Sequence, residues 1–187
     1  MELETVGKML IDLVRVTIND ELQDTKSLDK ESILEKIPNL SKLGATFITL
    51  TKDGELRGCI GTLVPHVSFY DDLTTNAKKA AFEDPRFPPI SKEEFPQIKI
   101  EVSIIGPTKH IVYNGFEDLR TKIVPKEDGV ILRLGQNQAT FLPQVWESLP
   151  EFDSFMVHLF HKAGLDPAKV EVSPEIFTYK VDKIIER

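Results

Sequence analysis

Cysteine occurs once in the chain, at position 59, within the run Leu56-Arg57-Gly58-Cys59-Ile60-Gly61. A thiol attacks only as its thiolate, so an arginine two residues away or a nearby turn N–H is the kind of neighbour that would make Cys59 a nucleophile. A cysteine beside isoleucine in a strand is also how an inert, buried small hydrophobe looks, and the local residues leave both readings open. Gly58 and Gly61 bracket the thiol. Glycines in or beside a strand mark a bulge, a sharp exit or the close approach of another group, and they let a ligand reach backbone N–H groups. His66 is close in sequence and is the candidate general base or second ligand. Asp84 and Arg86 lie on either side of Pro85. Together with Arg57 they could converge on a carboxylate or phosphate, because a guanidinium is a fixed fork of donors, or they could pair with each other to hold their own loop. His158 and His161 could share a helix face, but two histidines without a third convincing ligand make a weak metal site, and neither a metal nor a cofactor is expected.

Regular elements must position these side chains. Leu3, Val6, Leu10, Leu13, Val14 and Thr17 recur at helical spacing with Glu4, Lys8, Asp12 and Arg15 between them, which predicts an amphipathic helix over about 3–19. A shorter helix is expected over 29–36, before Pro38. From Gly44 the period changes to two. GATFITLTK and ELRGCIG are separated by Asp53-Gly54, the pair that supplies positive backbone angles to a hairpin turn, so Arg57 and Cys59 fall on one face of a strand. Ser68 is placed to cap a helix through Leu73, Ala77, Ala80 and Ala81. Pro85, Pro88 and Pro89 make 84–90 a shaped, extended loop, after which Ser91 and Glu94 can cap a single helical turn. Adjacent Glu93 and Glu94 read as capping or solvent-facing and make a poor glycosidase pair.

Ile98, Ile100, Val102 and Ile104 alternate with polar residues as a half-buried strand ending at Gly106-Pro107. Asp128-Gly129, leading from Ile123 and Val124 into VILRL with a return near 139–142, reads as a second hairpin. Two Asp-Gly hairpins, each followed by a helix, suggest an internal duplication. Pro150 suits the first turn of a helix to about Lys162 with Phe152, Phe155, Met156, Leu159 and Phe160 on its apolar face, stopped by Gly164. Ile176, Phe177 and Tyr179 then return to the core as an extended segment. Phe87, Phe141 and Trp146 read as core anchors or as apolar contacts for a ligand.

Composition narrows the classes. With 41% hydrophobic and 28% charged residues the chain is far from the disordered corner, and its 187 residues fit one domain or two small subdomains sharing a core. A formal charge of −7 opposes general binding to phosphate backbones. No apolar run is long enough to cross a membrane and the first residues carry acids, so the expected location is cytoplasmic. A single cysteine excludes an intramolecular disulfide and a Cys-rich metal cluster. No Walker loop, dinucleotide fingerprint, HExxH motif, hydrolase elbow or RNA-recognition aromatic cluster is present.

LRGCIGTL at 56–63, AAFEDPRFPPI at 80–90, IKIEVSII at 98–105, FLPQV at 141–145 and KAGL at 162–165 together resemble, in order, the signatures of the AMMECR1 domain family. The resemblance spans nearly all of residues 1–187 as one domain of this type, undivided or in two subdomains. It implies an α+β fold with a mostly antiparallel β-sheet flanked by helices and a small appended subdomain. Its LRGCIG motif falls on Leu56 to Gly61, DPRF on Asp84, Pro85, Arg86 and Phe87, and LPQV on Leu142 to Val145. Where many members carry a Gly-Arg turn this chain has Gly135, Gln136, Asn137 and Gln138, which weakens an anion-binding role for that turn. The resemblance also implies participation in a modification pathway, with a Memo-like or radical-SAM protein as partner. The leading expectation is an accessory or substrate-handling protein that binds a small anionic or peptide-like group beside Cys59, using Arg57, Gly58, Gly61, Asp84 and Arg86. The alternatives are an enzyme using Cys59 covalently, with His66 or a nearby carboxylate moving the proton, and a purely structural interaction module.

Overall fold

The computed structural model describes residues 3–186, and the side chains of Leu3 and Glu4 from the first helical pattern lie outside that description. The chain divides into two compact units, Met1–Ile105 with Asp182–Arg187, and Gly106–Val181.

In the first unit, α1 (Leu3–Gln23) buries Leu10, Ile11, Leu13, Val14 and Ile18, as their spacing requires, and runs past residue 19. Asp20 closes the following loop by accepting from the Thr25 hydroxyl and the Ser27 N–H. α2 (Lys30–Lys36) is capped by Asp29, which accepts from the Ser32 N–H. After β1 (Leu43–Gly44), strands β2 (Thr46–Lys52) and β3 (Glu55–Gly61) form the expected hairpin. Asp53 and Gly54 have φ of 52° and 84°, the two positive angles of a tight twisted turn. β4 (Val67–Ser68) pairs with β1. α3 (Phe69–Phe82) starts at Ser68, whose Oγ accepts the Asp71 N–H at 3.1 Å. β5 (Ile98–Ile105) pairs with β2. Ile48, Leu50, Ile100 and Val102 share one buried face with the apolar sides of α1 and α3, and the intervening residues Phe47, Thr49, Thr51 and Glu101 occupy the other, half-buried face.

In the second unit, β6 (Lys109–Ile111), α4 (Gly115–Lys122), β7 (Gly129–Leu134), β8 (Asn137–Phe141), α5 (Val145–Ser148), α6 (Phe152–Lys162) and β9 (Glu175–Tyr179) surround a core that includes Leu119, Leu132, Trp146, Phe155 and Leu159. Trp146 is fully buried and stacks on Phe155 with ring centroids 3.6 Å apart, so it is a core anchor. β10 (Val181–Ile185) returns to the first unit. Strand orders are β10-β5-β2-β3 and β6-β9-β7-β8, and the registered pairs are antiparallel, which makes the fold α+β with antiparallel sheets flanked by helices.

Asp128-Gly129 does not turn a hairpin. β7 and β8 are joined at Gly135-Gln136, with Gly135 at φ 60°. The Asp128 carboxylate instead accepts the Val124 N–H at 2.7 Å, closing the segment after α4. Gly129 is required by packing, since a Cβ there would stand 2.3 Å from the Tyr179 ring. The shared Asp-Gly signature therefore falls away as a ground for duplication, although each sheet does carry a hairpin at one edge whose first strand pairs with a later strand. Pro150 likewise precedes α6, whose N-cap is Glu151.

Candidate functional site

β3 is an edge strand, and its pairing with β2 is irregular: Leu50 faces Gly58 while Thr51 faces Leu56, so Arg57 is the extra residue of a bulge. Gly58 has to be glycine, because a Cβ would lie 2.2 Å from the Ala80 carbonyl oxygen of α3. Gly61 is as tightly held, with the Phe47 ring 2.2 Å from its would-be Cβ. Both glycines thus serve packing around the cysteine, against α3 at one position and β2 at the other.

The Thr62 N–H bonds the Thr46 carbonyl at 2.9 Å, and the alternation of an antiparallel ladder then makes Thr49 and Cys59 a non-hydrogen-bonded pair. Side chains are closest in such pairs, and the half-buried Cys59 Sγ lies 3.3 Å from Thr49 Oγ1. The Cys59 peptide groups point outward, to the sheet edge. There the Cys59 N–H donates to Asp84 Oδ2 at 2.8 Å, and Arg86 Nη2 donates to the Cys59 carbonyl at 3.3 Å. Arg86 also grips Asp84 through Nε at 3.0 Å and Nη2 at 2.7 Å. The Asp84 side chain is buried while that of Arg86 is half exposed. This guanidinium, with the Cys59 and Arg86 N–H groups adding to it against the opposing effect of burial, holds the Asp84 carboxyl well below the usual carboxylate range.

Arg57 turns to the proline loop. Its Nε and Nη2 bond the two oxygens of Glu94 at 2.7 and 3.0 Å, and Nη2 also donates to the Pro88 carbonyl at 2.8 Å. Arg57 lowers the Glu94 pKa by this pairing. Glu94, expected to cap or face water, is therefore the partner of Arg57, while Ser91 does cap the short turn by accepting the Glu94 N–H at 3.2 Å. The guanidinium carbons of Arg57 and Arg86 lie 5.9 and 5.4 Å from the Phe87 ring centroid. Arg57 Nη1 is enclosed and makes no hydrogen bond.

The structure thus gathers Arg57, Gly58, Cys59, Gly61, Asp84 and Arg86 around the β3 edge. His66 is exposed in the connection between β3 and β4 and has no hydrogen bond to Cys59. His158 Nδ1 lies 2.8 Å from the Ser154 carbonyl on α6, and among the described residues no three His, Cys, Asp or Glu side chains group as metal ligands. No helix among the described residues is long and apolar enough to cross a membrane. Sequence reasoning did not single out Thr49 or Glu101, which face each other across β2 and β5 and extend the row begun by Cys59. The period-two pattern of β2 was the signal that could have found Thr49.

Fold and site together define an α+β protein with two antiparallel four-stranded sheets and a cysteine on a clasped edge strand. The model of the AMMECR1 family matches residues 11–184, and the chain belongs to that family. It is 33% identical to a protein of Methanosarcina mazei over 182 residues, covering 95% of this chain and 89% of that one. It is 36% identical to protein MJ0810 of Methanocaldococcus jannaschii over 146 residues, covering 74% and 71%. The crystal structure of uncharacterized protein PH0010 from Pyrococcus horikoshii superposes with a TM-score of 0.83 at 28% identity, covering 96% of this chain and 91% of that chain.

Proposed function

We propose that this protein handles a substrate in a modification pathway by binding a small peptide-like group at the sheet face around Cys59. The observation that carries this reading is the contrast between a fixed peptide and a thiol on the sheet face: the backbone of the half-buried Cys59 is held on both sides, while its Sγ has the Thr49 hydroxyl as its hydrogen-bond neighbour. Preorganisation of this kind is what a binding or reacting group needs. A peptide-like group is favoured over a free anion because both arginine forks already hold carboxylates, Arg57 that of Glu94 and Arg86 that of Asp84. A free anion would have to compete with these carboxylates for the same donors.

The test is alkylation of Cys59 by a neutral haloacetamide in the folded protein, with and without N-acetyl dipeptide amides, phosphate or acetate. Protection by dipeptides and not by the anions supports the reading. A freely reacting thiol that none of them protects sinks it. A covalent role for Cys59 is the second reading, favoured by the same half-buried thiol beside a hydroxyl, and a mixed adduct trapped from a peptide thioester would reveal it. A Memo-like or radical-SAM protein is the proposed partner in the pathway, and co-purification of the purified pair is its direct test.

A further inference from the structure

Residues 84–90 form a strap along the β3 edge, and strap and strand clasp each other reciprocally. Asp84 and Arg86 reach from the strap to the N–H and carbonyl of Cys59, while Arg57 reaches from the strand to the carbonyl of Pro88. Pro85, Pro88 and Pro89 have no N–H, so this strap could not form a regular ladder with β3 through its own backbone. Side chains supply the missing partners. An acceptor and a donor, themselves bonded to each other, stand where the carbonyl and N–H of a neighbouring strand would stand.

The two groups that an extended peptide would use to add to the sheet at Cys59 are therefore already taken. The sulfur itself lies on the sheet face, against Thr49.

Resting on the reading of Cys59 as the centre of the site, we infer that Asp84 and Arg86 are positioning residues that act through the Cys59 peptide, and that a ligand reaches the thiol over the Thr49 face, not by strand addition at the edge. This deepens the proposed function by fixing the manner of binding: the peptide-like group is an end or a side chain laid across β2, not a segment paired with β3.

The positioning role is read with Arg86 variants, because the Arg86 side chain is half exposed and its loss need not unfold the protein. In Arg86→Ala the Cys59 amide is expected to exchange about tenfold faster, with the amides of β2 unchanged, as one edge contact is lost. Alkylation of the thiol is expected to slow by about tenfold as the sulfur loses its fixed position, and Arg86→Lys, which keeps a donor and a charge but not the fork, to return part of both effects. The direction of approach is read with Thr49→Leu, which places a larger side chain on the face and is expected to slow alkylation by about tenfold while leaving exchange at Cys59 unchanged. Exchange and alkylation in Arg86→Ala equal to those of the parent protein overturn the positioning role, and undiminished alkylation in Thr49→Leu overturns the approach over the face. If dipeptides protect the parent thiol but the variants behave like the parent, this inference fails and the proposed function stands. If no dipeptide protects, the proposed function fails while the variants still decide the role of Arg86.

Discussion

Thr49 and Cys59 stand opposite one another on β2 and β3, with the hydroxyl oxygen 3.3 Å from the sulfur. Thr49→Val keeps the branched shape and removes that contact. It is expected to cost no more than about 1 kcal/mol of stability in urea unfolding, since only one hydrogen bond is lost. The alkylation rate of Cys59 should change with it, and an unchanged rate would show that the hydroxyl does not hold the sulfur.

Two glycines of the same hairpin separate packing from backbone strain. Gly54 has φ 84° and open space around its would-be Cβ, whereas Gly58 faces the Ala80 carbonyl oxygen at 2.2 Å. Gly54→Ala should therefore cost about 1–2 kcal/mol, the strain of a left-handed residue. Gly58→Ala forces α3 away from β3 and should cost more, about 2–3 kcal/mol. Urea midpoints in the reverse order would mean that the helix yields easily.

Legibility in the sequence followed the range of the interaction. The Asp53-Gly54 turn and the Ser68 cap are local and present as read, and the alternation of β5 holds from Ile98 to Val102 before Ser103 and Ile105 are buried and Ile104 is half-buried. At Asp128-Gly129 the same dipeptide signal misled, because a glycine also answers a ring packed from a distant strand, here Tyr179. α4 went unread because Leu119 is its buried residue and one apolar position makes no periodicity. At the site, Cys59, Arg57, Asp84 and Arg86 were legible as residue types, but the partner of Arg57 lies 37 positions away at Glu94, and nothing local selects Glu94 over Glu93. That a carboxylate would bond the cysteine's own N–H follows only from β3 being an edge strand.

Acid should loosen the strap. The Asp84 carboxyl is held below its ordinary value by Arg86 and by the Cys59 N–H. Between that depressed value and the unfolded value of about 3.9, the unfolded chain keeps the proton and the folded chain does not, so stability rises with pH across this window. The contribution is complete above the unfolded value and is lost as pH falls through the folded one. Asp84→Asn keeps an acceptor but has no such titration. The stability difference between parent and variant should therefore shrink as pH falls below about 4, measured by urea unfolding at each pH. A constant difference would place the strap's acid sensitivity elsewhere.

Asp72 and Asn76, one helical turn apart on α3, hold the start of β2: Asp72 Oδ2 accepts from the Thr46 N–H and hydroxyl, each at 2.7 Å, and Asn76 Nδ2 donates to the Thr46 carbonyl at 3.1 Å and to Thr62 Oγ1 at 3.1 Å. All of Thr46, Asp72 and Asn76 are buried. Asp72→Ala strands the Thr46 donors away from water and is expected to cost about 2–4 kcal/mol. Loss of under 1 kcal/mol in urea unfolding would mean that water replaces the carboxylate.

Alkali should test the second unit through Tyr179. Its ring covers Gly129, its hydroxyl meets Thr140 Oγ1 at 2.9 Å, and burial pushes its pKa up to about 12. Tyr70 and Tyr113 are also raised by burial, but Tyr179 should ionise last. Above the unfolded value of about 10, the unfolded chain releases the proton while the folded chain keeps it. The stabilisation is thus present below that value and lost as pH rises through the folded one. Tyr179→Phe removes this titration and should flatten the alkaline loss of stability, at a cost near neutrality of about 1 kcal/mol for the hydroxyl's bond. Tyrosinate absorbance in the folded protein should show one of the 3 tyrosines lagging the others, and that late step should vanish in Tyr179→Phe. Three tyrosines titrating together near the ordinary value would refute the closed packing of Tyr179 over Gly129.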